Sequence, residues 1–280
     1  MTTELFVIEH GLPDRVAEYA SKRRVRIPRP LLFIGGSAVF WLGVWWALAA
    51  VQVVPPLFLP TPSAVFARAL SVTASGYADA TLLQHAGASL FRVLSALAAA
   101  WVVAVPLGIG MGVSPAIRGI FDPVIEAYRP VPPLAYLPLV IIWFGIGEEA
   151  KILLIFLAIV PAIALSTAAG VRSVPLERIN AARTLGATRW QVLAHVILPN
   201  ALPEILVGTR IGLAVGWSTL VAAELVAAQR GLGFMIWTAS NFLVTDIVLV
   251  GILSIAAIAF VMEFTMRWLE RRLTPWKDKQ

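Results

Sequence analysis

Long apolar runs without a charged side chain constrain this chain more than any other feature of its sequence. The first run covers residues 31–54. A helix of about 20 apolar residues is long enough to cross the hydrocarbon core of a bilayer. A secretory signal peptide would instead have an apolar region of about 7–15 residues, followed by a cleavage site made of small residues. The run therefore predicts a membrane-spanning helix.

Five further segments are predicted to cross the membrane. The third of the six contains several prolines, and a broken backbone is tolerated in a membrane only where protein or a water-filled cavity satisfies it. We therefore expect the third segment to line the interior of the protein. The five segments cover about residues 89–113, 122–146, 152–170, 202–227 and 246–268.

Composition agrees with this prediction of an all-α polytopic membrane protein with six transmembrane helices. Hydrophobic residues make up 59% and charged residues 14% of the chain, against roughly 45–50% and 25% in soluble domains. The absence of cysteine excludes disulfides and thiolate metal sites. No metal site is expected at His85 either, because no second ligand lies at a metal-binding spacing. The net charge of +6 indicates lipid headgroups rather than nucleic acid, because the basic residues cluster beside apolar runs.

The distribution of basic residues predicts the orientation of the chain. Lysine and arginine are concentrated before residue 31, in the segment 171–201 and after residue 266, whereas few, such as Arg68, Lys151 and Arg230, fall on the opposite side. Cytoplasmic loops carry the excess of basic residues. We therefore expect both termini in the cytoplasm. The expected order is a cytoplasmic segment 1–30, a first helix 31–54, a periplasmic or interfacial segment 55–84, a membrane domain 85–272 with a cytoplasmic loop 171–201, and a cytoplasmic tail 273–280.

The segment 180–199 reads NAARTLGATRWQVLAHVILP and is predicted to form two short helices with a bend between them. Gly186 can adopt the left-handed conformation that ends a helix. Thr188 and Gln191 have the spacing of a capping box, which begins a second helix. Pro199 is expected to end that second helix, because proline disfavours helical geometry in the residue before it.

The same segment resembles the cytoplasmic loop of ABC importer permeases. That loop has the pattern E-A-A, three residues, G, nine residues, I-x-L-P, and Ala181, Ala182, Gly186 and Leu198 keep its spacing. Asn180 stands where the family has Glu, and Val196 stands where it has Ile. The resemblance implies a coupling helix that sits in a groove on a separate ATPase subunit. The residues it implies for this contact are Asn180, Ala181, Ala182, Arg183, Leu185, Gly186 and Arg189.

Residues 85–272 resemble the binding-protein-dependent type I ABC importer permease domain, within the branch for taurine, alkanesulfonates and nitrate. The resemblance implies a permease homodimer in the bacterial inner membrane, two cytoplasmic ATPase subunits that bind ATP and Mg²⁺, and a periplasmic binding protein. It implies no cofactor on this chain. Its solute would be a small organosulfonate, first taurine, with alkanesulfonates or nitrate as the alternatives. The matching segments are 129–136 (RPVPPLAY), 142–148 (IWFGIGE), 216–225 (GWSTLVAAEL), 230–235 (RGLGFM) and 271–276 (RRLTPW).

Charged residues inside apolar runs are the candidates for a translocation pathway, because each costs roughly 2.5–3.5 kcal/mol at the bilayer centre. For Arg210 and Glu224 the alternative is that each reaches the nearer membrane surface. The segment 229–245 is expected to be a re-entrant or interfacial helix, and Trp237 and Asn241 within it are outer-gate candidates. The pathway candidates are Arg210, Trp217, Ser218, Thr219, Glu224, Tyr136 and Arg129, with Arg92 as a weaker one.

Other classes of function fit the sequence less well. The chain lacks the G-x-x-x-x-G-K-[ST] pattern of ATP-binding loops, so ATP hydrolysis is expected from another polypeptide. A channel or secondary transporter tends to show repeats between its halves, and none is evident. An intramembrane enzyme would need a paired catalytic constellation, which the sequence does not offer. We therefore expect a transport subunit that is not an enzyme.

Overall fold

The computed structural model describes residues 29–276, and within them the chain is helical apart from short connections. It divides into two compact units, residues 1–54 and 55–280. In the first unit, α1 (Arg29–Ala50) covers most of the first predicted span. Side chains from Val39 to Leu42 are exposed, as suits a helix in lipid. Most of the predicted cytoplasmic segment 1–30, and residues 277–280 of the tail, lie outside the described residues.

The second unit is a helical bundle with two irregular turns. A 3₁₀ turn, Pro133–Tyr136, precedes α5, and a π-helical turn, Leu193–Ile197, joins α8 to α9. In chain order the helices are α2 (Pro62–Ser75), α3 (Leu82–Val113), α4 (Pro115–Tyr128), α5 (Leu137–Phe144), α6 (Glu148–Arg172), α7 (Leu176–Thr184), α8 (Arg189–Val192), α9 (Leu198–Ala227), α10 (Leu232–Asn241) and α11 (Thr245–Leu273).

Helix α6 packs against both α3 and α9, and these three helices form the centre of the bundle. Small residues allow the close approach. A Cβ added to Gly108 of α3 would lie 2.6 Å from the Thr167 Cβ of α6, and one added to Gly208 of α9 would lie 2.4 Å from the Ser166 Cβ. Because lipid supplies no hydrophobic drive between helices, such close packing is a main source of their association.

The structure confirms an all-α membrane protein but does not give six whole spanning helices. Within the described residues, α3, α6, the continuous segment Arg189–Val226 and α11 are long and apolar enough to cross a bilayer. The described part of α1, Gly36–Ala50, and the segment Pro133–Phe144 are shorter apolar helices. The third predicted span is not one helix, because the chain leaves α-helical geometry between α4 and α5.

The second span begins earlier than its apolar pattern predicts. Thr81 caps α3: its hydroxyl accepts a hydrogen bond from the Gln84 N–H at 3.3 Å, and its own N–H donates to the Gln84 side chain at 2.9 Å. This reciprocal capping box satisfies two free backbone donors. It therefore extends the helix toward residue 82, ahead of the predicted start at 89.

The prediction that Pro199 ends the second loop helix was wrong. The helix that begins at Arg189 continues through the π-helical turn into α9, where Pro199 occupies the first turn. Proline has no N–H to donate, and a π-helical turn changes the local hydrogen bonding without stopping the helix. The side-chain amide of Asn200 also donates to the Val196 carbonyl at 2.6 Å.

The segment after α9 forms α10, which packs against α9 and α11. Leu232, Met235 and Ala239 are buried at helical spacing on one face. The outer-gate candidates Trp237 and Asn241 are exposed. Their role at a gate stays a prediction.

Candidate functional site

The loop between α6 and α9 has the two-helix geometry that its sequence predicts. After α7, the Ala187 N–H donates to the Ala182 carbonyl at 3.0 Å and the Gly186 N–H donates to the Arg183 carbonyl at 2.9 Å. This is a Schellman motif, which needs a left-handed residue, and Gly186 has φ +83°. Thr188 then caps α8 through the predicted capping box with Gln191.

One side of this loop is anchored to the bundle. Ile179, Ala182 and Ala187 pack against a buried cluster that includes Val174 and Val192. Helix α8 is also continuous with α9 through the π-helical turn. The loop is therefore mechanically connected to a helix of the membrane domain.

The other side of the loop carries large apolar side chains in the open. Leu185 is 89% exposed, Trp190 71% and Leu176 70%. The arginines Arg183 and Arg189 of the same loop are also exposed. Large apolar side chains exposed on one loop together with charged ones make that loop a candidate interaction surface. We call Leu176, Leu185, Trp190, Arg183 and Arg189 the loop surface.

The remaining loop residues from the family pattern are also accessible or close to the surface. Asn180 and Ala181 are exposed, and Ala182 is half-buried. The Asn180 backbone carbonyl accepts a hydrogen bond from the Thr184 hydroxyl at 3.0 Å. That bond uses the main chain, so a glutamate at position 180 would leave it unchanged.

A second candidate site is a buried ion network between α3, α6 and α9. The Arg92 guanidinium donates to Glu224 at 2.5 Å and to both oxygens of Glu148, at 2.5 and 2.7 Å. Lys151 also donates to Glu148, at 2.9 Å. Arg92, Glu224 and Lys151 are buried, whereas Glu148 is half exposed. The two cations and two carboxylates balance one another.

The network also holds the start of α10. Glu224 accepts hydrogen bonds from the Ser89 hydroxyl at 2.7 Å and from the Gly233 N–H at 2.8 Å. The Gly231 N–H donates to His85 at 3.1 Å. A Cβ at Gly231 would lie 2.4 Å from the Glu224 carboxylate, so only glycine lets the backbone approach this closely.

These contacts change the interpretation of Glu224 and Arg92. Both were pathway candidates, and the alternative for Glu224 was a side chain reaching the membrane surface. The structure buries both in mutual hydrogen bonds, so the Glu224 side chain does not reach a surface. A role of Glu224 or Arg92 in the pathway stays a prediction. The sequence signal was present as opposite charges inside different apolar runs, but their pairing across 132 positions is visible only in the fold.

Arg210 lies against α11. Its guanidinium is 3.4 Å from Glu270 and 3.8 Å from Glu263, and the side chain is about one-third exposed. The neighbouring candidates differ in burial: Trp217 and Thr219 are buried, and Ser218 is exposed. Of the candidates on α9, Ser218 therefore remains the most accessible.

Exchanging the charges of Arg210 and Glu270 distinguishes a structural role of Arg210 from a role in the translocation pathway. We expect Arg210→Glu to lower both the melting temperature and solute uptake, because three carboxylates would then face one another. Adding Glu270→Arg should restore both, since the pair is re-formed with opposite polarity. Thermal unfolding and uptake of the two variants check this. If the melting temperature recovers and uptake does not, Arg210 acts on the solute.

A third candidate site is a cavity of about 400 Å³ between α4, the 3₁₀ turn, α6 and α9. Arg129, Tyr128 and Tyr136 line it, together with Pro161 and Val215. The two tyrosine rings are stacked with centroids 5.6 Å apart. Tyr136 and Arg129 were pathway candidates, and the structure brings them to one cavity. The sequence analysis did not identify Tyr128 as a candidate. Its position directly before the candidate Arg129 was the one feature that could have indicated it.

The tyrosines complete the backbone hydrogen bonding of a helix that contains a proline. Pro161 lies inside α6 and has no N–H for the Leu157 carbonyl four residues earlier. The Tyr128 hydroxyl donates to that carbonyl at 2.8 Å, and the Tyr136 hydroxyl donates to Tyr128 at 2.7 Å. Among the described residues, no cluster of three or more His, Cys, Asp or Glu could hold a metal ion.

Comparison with known proteins places these features in a family. The family model for "Binding-protein-dependent transport system inner membrane component" matches residues 104–275. The chain is 58% identical over 267 residues to the taurine transport system permease protein TauC of Escherichia coli (strain K12), covering 93% of this chain and 97% of TauC. It is 35% identical to SsuC of the same organism, a permease named for aliphatic sulfonates, over 84% of this chain and 88% of SsuC.

The fold is also found among solved structures. A crystal form of the inward-facing MetNI methionine ABC transporter aligns with a TM-score of 0.57 at 20% identity. The alignment covers 69% of this chain and 96% of that chain. At this identity the likeness concerns the arrangement of helices.

Proposed function

The chain belongs to the family of binding-protein-dependent transport system inner membrane components, and from that premise we propose that it carries a small organosulfonate, in the first instance taurine, into the cell. Membership makes it the permease subunit of an ABC importer, with ATP hydrolysis on a separate subunit. The proposal for taurine rests on the 58% identity to TauC over 93% of the chain. A bacterial inner-membrane location with both termini in the cytoplasm agrees with the basic residues of the loop and the C-terminal end.

Membership of the family implies which kinds of subunit this chain assembles with. An ATP-binding subunit and a substrate-binding protein are its expected partners. We propose two copies of this chain and two ATP-binding subunits, which hold ATP and Mg²⁺, with the binding protein on the periplasmic side. The chain itself binds no cofactor in this scheme.

The loop surface is the proposed contact with the ATP-binding subunit. The observation that carries this proposal is Leu185, which is 89% exposed on a bend held by the Schellman motif. A large apolar side chain that a fixed bend holds exposed to water is suited to be buried in a groove of a partner. Asn180 removes one negative charge relative to the family pattern, so we expect this contact to lack one ion pair.

The connection of α8 to α9 suggests how movement would pass into the membrane domain. ATP binding would draw two ATP-binding subunits together, and each loop would move with the subunit that holds it. Because α8 runs without interruption into α9, displacement of α8 would tilt α9 against α6. The pore would then change from inward-facing to outward-facing, and hydrolysis would reset it.

Labelling of a single cysteine tests both orientation and docking. The chain has no cysteine of its own, so Leu185→Cys gives one thiol in the loop surface. We expect a membrane-impermeant thiol reagent to label it in inside-out vesicles and not in intact cells, and a co-expressed ATP-binding subunit to protect it. Labelling of each preparation, with and without that subunit, checks this.

The matched control is Phe58→Cys in the predicted periplasmic segment 55–84, where Phe58 is exposed. This thiol should be labelled in intact cells and be indifferent to the ATP-binding subunit. Labelling of Leu185→Cys from outside would contradict the orientation, and an absence of protection would contradict the docking role.

Transport of other aliphatic sulfonates is the second candidate function, favoured by the identity to SsuC over 84% of this chain. Competition for uptake between taurine and an alkanesulfonate without an amino group separates the two. Uptake that continues without any ATP-binding subunit would instead support a channel or secondary transporter.

A further inference from the structure

We infer that the cavity between α4, the 3₁₀ turn, α6 and α9 is a transient binding site for a small zwitterion, with Arg129 at its anionic group and the Tyr128–Tyr136 pair at its ammonium group. The ligand class rests on the proposed function, but the site is argued from the geometry of the cavity. We call this cavity the tyrosine cavity.

The tyrosine cavity lies at the mid-length of two predicted membrane-spanning helices. It is lined by Leu157 and Pro161 from the middle of α6 and by Ile211 and Val215 from the middle of α9. On its other side the chain breaks between α4 and the 3₁₀ turn, inside the third predicted span. Backbone that leaves a helix at membrane depth is tolerated where it borders protein or a water-filled cavity.

Arg129 makes the cavity selective for an anionic group. It is exposed and stands directly at the C-terminal end of α4, where the helix dipole favours a cation. It is the one charged side chain lining the cavity in the part of the chain that the structure describes, so no carboxylate competes there for its guanidinium. An arginine within a predicted membrane span is a candidate for a functional contact. The planar guanidinium fits the oxygen atoms of a sulfonate or carboxylate.

The Tyr128–Tyr136 pair is suited to bind a cationic group. The Leu157 carbonyl can only accept, so Tyr128 donates its proton to it and in turn accepts the proton of Tyr136. Both hydroxyl protons are therefore in use, and the Tyr136 oxygen presents only acceptor lone pairs. Aromatic faces and hydroxyl acceptors both attract an ammonium group. The cavity thus combines a site for an anion with a site for a cation.

The dimensions suit a small and weakly held solute. A volume of about 400 Å³ lies near the lower end of the range of roughly 300–1,000 Å³ for ligand pockets. Its lining otherwise consists of apolar and small side chains such as Ala158, Ala162 and Ser166. One charged contact and one aromatic contact fix orientation without the many bonds that would oppose release.

Two substitutions test the two ends of the site in the reconstituted complex with its ATP-binding subunit and binding protein. We expect Arg129→Gln to lower uptake of both taurine and ethanesulfonate about tenfold or more, since a hydrogen bond to a charged group contributes about that factor. Tyr136→Phe should lower uptake of taurine several-fold and leave ethanesulfonate, which has no ammonium group, nearly unchanged. Arg118→Gln is the control, because Arg118 lies on the same helix and pairs with Asp122 at 3.2 Å outside the cavity.

A readout independent of transport uses Val215→Cys, which places one thiol in the cavity lining. We expect a thiol reagent that carries a sulfonate to modify it about tenfold more slowly after Arg129→Gln, whereas a neutral reagent of similar size should react at the same rate. Taurine should slow both reagents when Arg129 is present. Both effects report the cavity itself, whether or not the complex transports.

The outcomes separate the site from the proposed function. Normal uptake of both solutes by Arg129→Gln, together with no protection of the thiol by taurine, would overturn the site alone. A thiol inaccessible to both reagents would also overturn it, because a second copy of the chain would then fill the cavity. Failure of the unmodified complex to take up any sulfonate, with the thiol still protected by taurine, would overturn the proposed function and leave the site.

Discussion

Gly186→Pro is expected to abolish ATP-driven uptake while the chain still inserts into the membrane. Gly186 has φ +83°, and proline is fixed near −65°, so the bend between α7 and α8 cannot form. Proline also removes the N–H that bonds to the Arg183 carbonyl at 2.9 Å. The loop surface would then lose the arrangement of Leu185 and Trp190. Uptake, together with the amount of chain in the membrane fraction, measures the effect.

Gly186→Asn is the matched control for this prediction. Asparagine enters the left-handed region more readily than other residues with a side chain, and a Cβ at position 186 would meet no atom within 4 Å. We therefore expect Gly186→Asn to retain most of the uptake. Full uptake by Gly186→Pro, or equal loss in both variants, would show that the bend is not what couples the loop to transport.

The geometry of this loop could be predicted from sequence because its signals are local. A capping box spans four residues, from Thr188 to Gln191, and the Schellman motif depends on one glycine. Each contact forms within a single turn of the chain, so the residue types determine it almost alone. The failure at Pro199 has the opposite cause. There the local rule predicts a helix end, but the helix continues into the packed α9, and a π-helical turn accommodates the proline.

A membrane span could be predicted from the sequence where a continuous apolar run folds as one continuous helix. The third span is the exception. Its prolines predicted a break in the helix, but they did not indicate which residues pack at the break. The answer lies in α6, where Pro161 frees the Leu157 carbonyl and Tyr128 supplies the missing donor. A hydrogen bond between positions 29 residues apart leaves no periodic signal in either segment.

The buried network is the clearest case of a site that sequence alone did not reveal. Hydropathy treats Arg92 and Glu224 as two separate and costly charges, each with its own route to a membrane surface. In the fold they lie on different helices, and each offsets part of the cost of burying the other. The RGLG segment gave no sign that the carboxylate of Glu224 would lie against its backbone.

Arg92→Ala is expected to lower the stability of the folded chain strongly. It leaves Glu224 fully buried without a cation, and removing one partner of a buried ion pair costs about 3–5 kcal/mol. The start of α10 would be released with it, because the Arg92 guanidinium also donates to the Arg230 carbonyl at 2.8 Å. Thermal unfolding of the purified protein in detergent, and protease sensitivity near residue 230, measure this loss.

Arg68→Ala is the control for this prediction, because it removes an exposed ion pair rather than a buried one. Arg68 pairs with Asp246 at 2.7 Å between α2 and α11, but both side chains are partly exposed. An exposed pair contributes about 0.2–1 kcal/mol, so Arg68→Ala should shift the melting temperature far less than Arg92→Ala. Glu224→Gln added to Arg92→Ala should recover part of the loss, since the amide removes the buried negative charge. Equal shifts in the two alanine variants would mean that water reaches Glu224, and the network would then be a surface ion pair rather than the element that holds α10 to the bundle.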